Sequence, residues 1–151
     1  MYHFCNVPEN FFRKIKKVFF YKASTISYIN NLSGIFPSEN LAIASFDLNP
    51  SSFNHKIGTK TQNNNYFYEL DSNFPLFDLN TTVLDFCFTN FNKEDFAVVF
   101  VSDRDRMMFG NEREKVKIEF IDNKKLNNSG TDEFTIIISG KSILIPKLQA
   151  I

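Results

Sequence analysis

The sequence is poor in the residues that build several familiar kinds of site. It contains no tryptophan, two histidines, only the two cysteines Cys5 and Cys87, and five glycines that stand singly. Two cysteines are too few for the disulfide framework of a small secreted protein, and scattered glycines form no phosphate-binding loop. No histidine lies near a nucleophile motif, so no catalytic triad is indicated. We therefore expect a protein that is not an enzyme.

A surplus of charge of either sign is also missing. Seventeen basic residues balance seventeen acidic ones, whereas a protein that binds nucleic acid regardless of its sequence needs excess Lys and Arg. The local basic group Arg13, Lys14, Lys16 and Lys17 enters a predicted strand over residues 14–24, so we interpret it as the guard of an exposed edge strand. We expect no specific nucleic-acid binding.

Long apolar runs are absent as well. No run reaches the roughly 20 residues that a membrane-spanning helix needs. The segment MYHFCNVPENFF lacks the charged start, apolar core and cleavage site of a signal peptide. We expect no membrane association, and a protein that works in a reducing interior or leaves the cell only inside a larger assembly.

Phenylalanine is abundant, with 19 among 151 residues, and its large, stiff side chain favours strands. The apolar run over residues 96–101 is typical of a central strand that is buried on both faces. Residues 115–122 alternate, and we expect Val116, Ile118 and Phe120 to point inward. These two segments are the clearest strands of the sequence.

The polar triplet Asn63–Asn65 predicts the turn of a β-hairpin, because asparagine tolerates the left-handed conformation that tight turns need. In the return strand we expect Phe67, Leu70 and Phe74 to face the core. Pro75 cannot donate to a central ladder, so it marks an edge or the end of that strand.

Residues 81–91 fit two interpretations. The alternation of Leu84, Phe86 and Phe88 favours a strand, whereas a short helix would carry Leu84, Cys87, Phe88 and Phe91 on one face. We favour the helix because a polar turn follows it, and we expect Cys87 to be a small buried hydrophobe.

Two further apolar segments, residues 133–140 and 142–146, complete the predicted sheet, with a bend or bulge at Gly140. The fold class is therefore all-β: a single β-sandwich or β-barrel domain over residues 1–151, with about eight strands and at most one short helix. Residues 1–13 lie outside the strand pattern and are interpreted as an arm that either reaches a neighbouring copy or folds back on its own barrel.

Metal and acid–base chemistry receive little support. The soft ligands His3, Cys5, His55 and Cys87 lack the close pairing of a zinc site. The pair Asp103 and Asp105 resembles half of a calcium loop, but its own arginines neutralise it. Two of the acids Asp103, Asp105, Glu112 and Glu114 could be proposed as a glycosidase pair, although exposed acids at a strand end are common. We expect no metal and no cofactor.

The stretch SDRDRMMFGNERE, Ser102–Glu114, is the candidate site. We read Phe109, Gly110 and Asn111 as a turn, and we expect that a tight hairpin cannot bury all the apolar residues before it. Met and aromatic side chains beside Arg are typical of protein interfaces. The predicted interface with a neighbouring copy comprises Asp103, Arg104, Asp105, Arg106, Met107, Met108, Phe109 and Arg113. The alternative is a lattice of local ion pairs on a solvated turn.

The order of elements in the C-terminal third resembles that of a known group of proteins. An apolar strand ending in Asp, the segment MMFGNE, an alternating strand, a polar loop and EFTIIISGKSILIPK follow one another. This order is similar to the C-terminal half of small β-rich virion proteins of tailed phages of Bacteroidetes, crAss-like phages included. The segment HKIGTKTQNNNYFYELDSNFPLF resembles their hairpin. The resemblance covers Asn54 to Lys147 and includes Gly110, Gly140 and Pro146.

The resemblance implies a structural role in the virion. Such proteins are made in the cytoplasm of the bacterial host and form a homo-oligomeric ring around the DNA channel of the tail or neck, as tail-tube-like, terminator or connector proteins. Their partners are copies of the same chain and other tail, neck or portal proteins. Exposed edge strands suit such a ring, because neighbouring copies seal them.

A second interpretation is a carbohydrate- or cell-surface-binding β-sandwich module. Five tyrosines could supply stacking faces: Tyr2, Tyr21, Tyr28, Tyr66 and Tyr68. The spacing of Tyr66 and Tyr68 places both on one face of a strand, as a sugar platform needs, and cross-strand packing explains the same pair equally well.

Overall fold

The structure, a computed structural model, describes residues 1–3, 14–123 and 132–151. Most of the predicted arm, residues 4–13, lies outside these ranges. The described residues form nine strands and two α-helices, α1 (Tyr28–Ser33) and α2 (Thr81–Asn90). The strands are β1 (Ile15–Lys22), β2 (Ala44–Asp47), β3 (Asn54–Gln62), β4 (Asn65–Phe77), β5 (Lys93–Ser102), β6 (Asp105–Phe109), β7 (Val116–Asp122), β8 (Glu133–Ser142) and β9 (Lys147–Ala150). The all-β fold class is confirmed, with one helix more than expected.

The strands form one antiparallel sheet in the order β2-β1-β5-β7-β8-β4-β3. This sheet curls into a half-barrel. A side branch leaves it at β5, where β6 pairs with β5 and then with β9. One side of β5 pairs with β1, while its other side is shared by β7, next to Lys93, and by β6, next to Val101. The sheet therefore splits at β5.

This position makes β5 the central strand, as predicted. Its residues alternate between two cores, because successive side chains of a strand point to opposite faces. Val98 and Phe100 join the larger core on the inner face of the half-barrel, together with Phe20 and Ile138. Ala97, Val99 and Met108 join a smaller core on the outer face, which is covered by the segment around Ile26 and Phe36.

Both helices begin with a side-chain cap. The side-chain oxygen of Asn80 accepts a hydrogen bond from the backbone N–H of Val83 over 2.9 Å at the start of α2, which satisfies one of the free donors of the first turn. The predicted helix over 81–91 and the burial of Cys87 are confirmed. Phe88 was wrongly placed on the buried face: it is 55% exposed, and Phe86 packs against the core instead.

The predicted hairpin is confirmed, with Asn63 at φ 52° and Asn64 at φ 65°. One core assignment in its return strand was wrong. Leu70 and Phe74 are buried, but Phe67 lies on the opposite face under the Lys141 ammonium, because inward residues have even numbers along β4. No bulge interrupts this part of β4, since its pairing with β3 runs without a shift to Asn73.

The edge assignment of the basic strand was also wrong. β1 lies between β2 and β5, so its lysines do not guard an edge. The end of the sheet on this side is the four-residue strand β2, which pairs with Lys17–Phe20 of β1. Arg13, the first residue of the basic group, lies outside the described residues.

The C-terminal strands differ from the prediction in where they begin and end. β8 continues through Gly140, which pairs regularly with Leu70, so no bulge forms there. A Cβ atom at Gly140 would lie 3.2 Å from Val116 Cγ2 and 3.3 Å from Phe109 Cε1. The glycine therefore permits close packing. Residues 143–146 form a bend, and the last strand is β9. No helix in the described ranges is long and apolar enough to cross a membrane.

Candidate functional site

The stretch Ser102–Glu114 comprises the end of β5, a short turn, β6 and the loop that leads to β7. The turn is organised by the Ser102 hydroxyl, which accepts hydrogen bonds from the backbone N–H groups of Arg104 (3.1 Å) and Asp105 (3.0 Å). The same hydroxyl lies 2.9 Å from Asp105 Oδ1, to which it can donate its proton. Local side-chain bonds of this kind fix a turn without a glycine.

Asp103 connects this turn to the start of β1. Its carboxylate accepts a hydrogen bond from the backbone N–H of Lys14 over 3.2 Å, and its own N–H donates to the Lys14 carbonyl. The hydrogen bond from Lys14 lowers the pKa of Asp103 below its ordinary value, because it stabilises the ionised carboxylate. Asp103 is therefore an anchor for β1.

Two of the predicted interface arginines have partners within the chain. Arg106 Nη2 lies 3.0 Å from Glu39 Oε1, and the Arg113 guanidinium lies 4.8 Å from the centre of the Tyr28 ring. The Tyr28 backbone N–H donates to Glu112 Oε1 over 3.2 Å. These contacts join the candidate stretch to the segment around α1. Arg106 and Arg113 thus contact residues that lie outside the stretch.

The apolar part of the predicted interface is buried inside the chain. Met107 and Phe109 lie in the larger core and Met108 in the smaller one, and all three are at most 5% exposed. The expectation that a hairpin could not bury all three was wrong. The reason is that β6 has partners on both sides, β5 and β9, and covered space on both faces.

The loop after β6 is held by buried polar side chains. Asn111 Oδ1 accepts hydrogen bonds from the backbone N–H groups of Arg113 (2.8 Å) and Glu114 (2.9 Å), and its Nδ2 donates to Asn31 Oδ1 over 2.9 Å. The Glu114 carboxylate accepts from the Ser142 hydroxyl (2.8 Å) and the Ile143 N–H (2.7 Å). The loop thus connects α1 to the bend before β9.

No local sequence pattern indicates the contact between Asn31 and Asn111. Asn31 is 2% exposed and Asn111 is fully buried, although asparagine is a residue type that usually lies at the surface. The two residues belong to segments whose contact depends on the whole topology. Only the turn signal at Gly110–Asn111, where Gly110 has φ +97°, pointed to this loop.

The four acids of the stretch bind four different parts of the chain. Asp103 binds the start of β1, Asp105 the Ser102 hydroxyl, Glu112 the start of α1, and Glu114 the bend before β9. Each carboxylate thus accepts hydrogen bonds from its own neighbours. Across residues 1–3, 14–123 and 132–151 no three His, Cys, Asp or Glu side chains are placed to hold a metal ion.

An open groove of about 660 Å³ lies on the outer face of the sheet. Its charged lining contains four acids and four bases: Glu69, Asp71, Glu94, Glu114, Arg113, Lys115, Lys117 and Lys141. Several of these charges already form pairs on the surface, such as Lys60 Nζ to Glu69 Oε1 at 2.7 Å. A groove with balanced, solvated charges selects no particular ligand class.

A second, apolar groove of about 310 Å³ runs between β2 and α2. Ile43 and Phe46 line it on the side of β2, and Val83 and Phe86 line it on the side of α2. No strand in the described part of the chain pairs with the edge of β2 that faces away from β1. The groove therefore lies directly beside a free strand edge.

Comparison with protein-family models, with curated proteins and with solved structures found no match to this chain.

Proposed function

We propose that this chain is a structural subunit of a tailed-phage virion, one copy of a homo-oligomeric ring in the tail or neck. The observation that carries this proposal is the open half-barrel. Both ends of its main sheet, β2 and β3, lack a further strand among the described residues. Exposed edges favour pairing with another chain, and a ring in which copies meet head to tail uses both ends in every subunit.

The hairpin of β3 and β4 adds to this surface. β8 pairs with β4 only from Tyr68 onward, whereas β3 and β4 pair with each other up to Gln62 and Asn65. The tip of the hairpin therefore projects beyond the rest of the sheet, and Tyr66 on it is 77% exposed. A projecting hairpin is suited to contact a neighbouring copy or an adjacent ring.

The C-terminal segment exposes apolar side chains. Ile143, Ile145, Leu148 and Ile151 each leave more than half of their surface in solvent. Large exposed apolar side chains gathered in one segment of the chain favour a protein interface. We assign it to contacts with other tail, neck or portal proteins.

The proposal includes no catalytic role and no sequence-specific contact with DNA. The carboxylates of Ser102–Glu114 serve as acceptors that hold β1, α1 and the C-terminal bend. Arg104 is exposed, and Arg106 pairs with Glu39 within the chain. The interface role of the charged residues in this stretch stays a prediction.

The alternative function, a carbohydrate-binding module, depends on a platform of Tyr66 and Tyr68. The two lie on the same side of β4, but Tyr68 packs against the larger core and only Tyr66 is fully available. One exposed tyrosine side chain makes a weaker platform than two. The ring subunit is therefore the better supported function.

The test is the protein composition of purified virions of the phage that encodes the chain. Quantitative mass spectrometry should find it at a fixed copy number relative to the portal protein, as a ring requires. Its absence from complete particles would refute the proposal. A monomer that binds glycans, with binding lost in Tyr66→Ala, would support the alternative.

A further inference from the structure

The two ends of the main sheet run in the same direction. Each step from β2 through β1, β5, β7, β8 and β4 to β3 is antiparallel. Six antiparallel steps reverse the strand direction an even number of times, so β3 runs parallel to β2. If neighbouring copies are related by a rotation about an axis parallel to the strands, the strand direction is the same in every copy. β3 of one copy can then lie beside β2 of the next only as a parallel neighbour, whereas β2 with β2 or β3 with β3 would pair antiparallel about a two-fold axis.

Charge favours the pairing of unlike edges. β3 carries Lys56 and Lys60 and no acid, while the one charged residue of β2 is Asp47. Lys56 forms no salt bridge within the described residues, and the Asp47 side chain is 88% exposed with Lys17 at 3.5 Å. Two β3 strands centred on Gly58 would place Lys56 opposite Lys60, which is unfavourable. The strand β9, which among the described strands pairs only with β6, carries Lys147 and no acidic side chain, so it offers no partner for Lys56.

The inner faces of the two edges match as well. Phe46 of β2 and Ile57 of β3 both pack partly against the larger core from the inner side of the sheet. The apolar groove between β2 and α2 is lined by Phe46 on the side of β2 and by Val83 and Phe86 on the side of α2. A strand added to β2 places alternate side chains toward this groove, and Ile57 is the large aliphatic residue that β3 offers there.

We propose that β3 of one copy adds to β2 of the next as a parallel strand, with Ile57 against the β2–α2 groove and Lys56 near Asp47. This inference rests on the proposed homo-oligomeric assembly and specifies its contact. The assembly becomes a continuous sheet that passes through every copy. β9 and the C-terminal apolar segment stay free for other proteins.

Cross-linking of introduced cysteines tests the pairing. In a Cys5→Ser background Cys87 stays, because it is fully buried. Ser45→Cys on the outer face of β2 is combined in turn with Asn54→Cys, Lys56→Cys or Gly58→Cys on the outer face of β3. After a short bis-maleimide treatment, at least one combination should give a ladder of covalent oligomers on a denaturing gel. The matched control combines Gln149→Cys on β9 with the same β3 positions, and it should give no ladder.

Single-cysteine variants separate the competing contacts. Ser45→Cys alone and Lys56→Cys alone should stay monomeric on the gel, since a head-to-tail contact never brings two identical positions together. Covalent dimers from either single variant, or a ladder only from the Gln149→Cys combination, would overturn the inference. If light scattering shows an oligomer but no β2–β3 combination gives a ladder, the inferred contact is overturned while the ring proposal stands. A monomer by light scattering before cross-linking would instead refute homo-oligomerisation itself.

Discussion

Asn31 and Asn111 lie 80 positions apart in the chain and meet in its interior, where Asn111 Nδ2 donates to Asn31 Oδ1 over 2.9 Å. This contact joins α1 to the loop after β6 and thereby fixes the cover of the smaller core. The same loop continues through Glu114 to the bend before β9. Much of the candidate stretch thus acts as an internal clamp between three distant segments.

The first prediction concerns this clamp. Asn111→Ala should lower the free energy of unfolding by about 3 kcal/mol, because it leaves Asn31 and two backbone N–H groups without their partner. Urea unfolding measures the loss. The control Asn30→Ala changes an exposed asparagine of α1, the helix that contains Asn31. It should change the free energy of unfolding by no more than about 0.5 kcal/mol. Equal effects of the two variants would contradict the clamp.

The second prediction concerns Gly110. A Cβ atom there would lie 2.8 Å from Val116 Cγ2 and 3.2 Å from Ala97 Cα, on a backbone with φ +97°. Gly110→Ala should therefore cost about 3 kcal/mol from strain and overpacking. Gly58→Ala, where a Cβ meets nothing within 4 Å, should be neutral. Thermal unfolding compares the two at one protein concentration, since assembly shifts apparent stability.

The third prediction concerns Cys87. Burial raises the pKa of its thiol from 9.0 to about 11, so at pH 8 only about one molecule in a thousand carries the reactive thiolate. In Cys5→Ser protein a thiol reagent should label Cys87 only after unfolding. The raised pKa also predicts that stability present below pH 9 declines as the pH rises toward 11, because only the unfolded thiol ionises there. Rapid labelling of the native protein would contradict this burial.

The fourth prediction separates the internal role of Arg106 from an interface role. Arg106→Glu places a carboxylate beside Glu39, and it should destabilise the chain by about 1 kcal/mol, as expected for a surface pair. The exchange Arg106→Glu with Glu39→Arg should restore stability. If the exchanged protein is stable but no longer assembles, Arg106 also contacts a neighbouring copy. If assembly survives both this exchange and Arg104→Glu, the predicted charged interface is wrong.

Local pattern predicted those elements whose neighbours are close in sequence. The hairpin at Asn63–Asn65 needs only a two-residue turn, and the alternation of Val116, Ile118 and Phe120 needs only one buried face. The apolar run over 96–101 was enough to indicate the central strand. Each of these signals is contained in a few adjacent residues.

The errors arose where the environment depends on distant strands. Met107, Met108 and Phe109 look exposed beside arginines, yet the split of the sheet at β5 covers both faces of β6. Phe67 and Tyr68 are both aromatic, so hydrophobicity alone could not decide which of them points inward. The pairing register of β4 with its neighbouring strands decides which of the two side chains points inward.

The mass of the purified chain in solution decides whether copies of it seal one another's free edges. Native mass spectrometry should show a closed assembly with one integer number of copies, because the free edges β2 and β3 are sealed only when every copy has two neighbours. A stable monomer at every concentration would show that β2 and β3 need no neighbouring copy and would refute the ring.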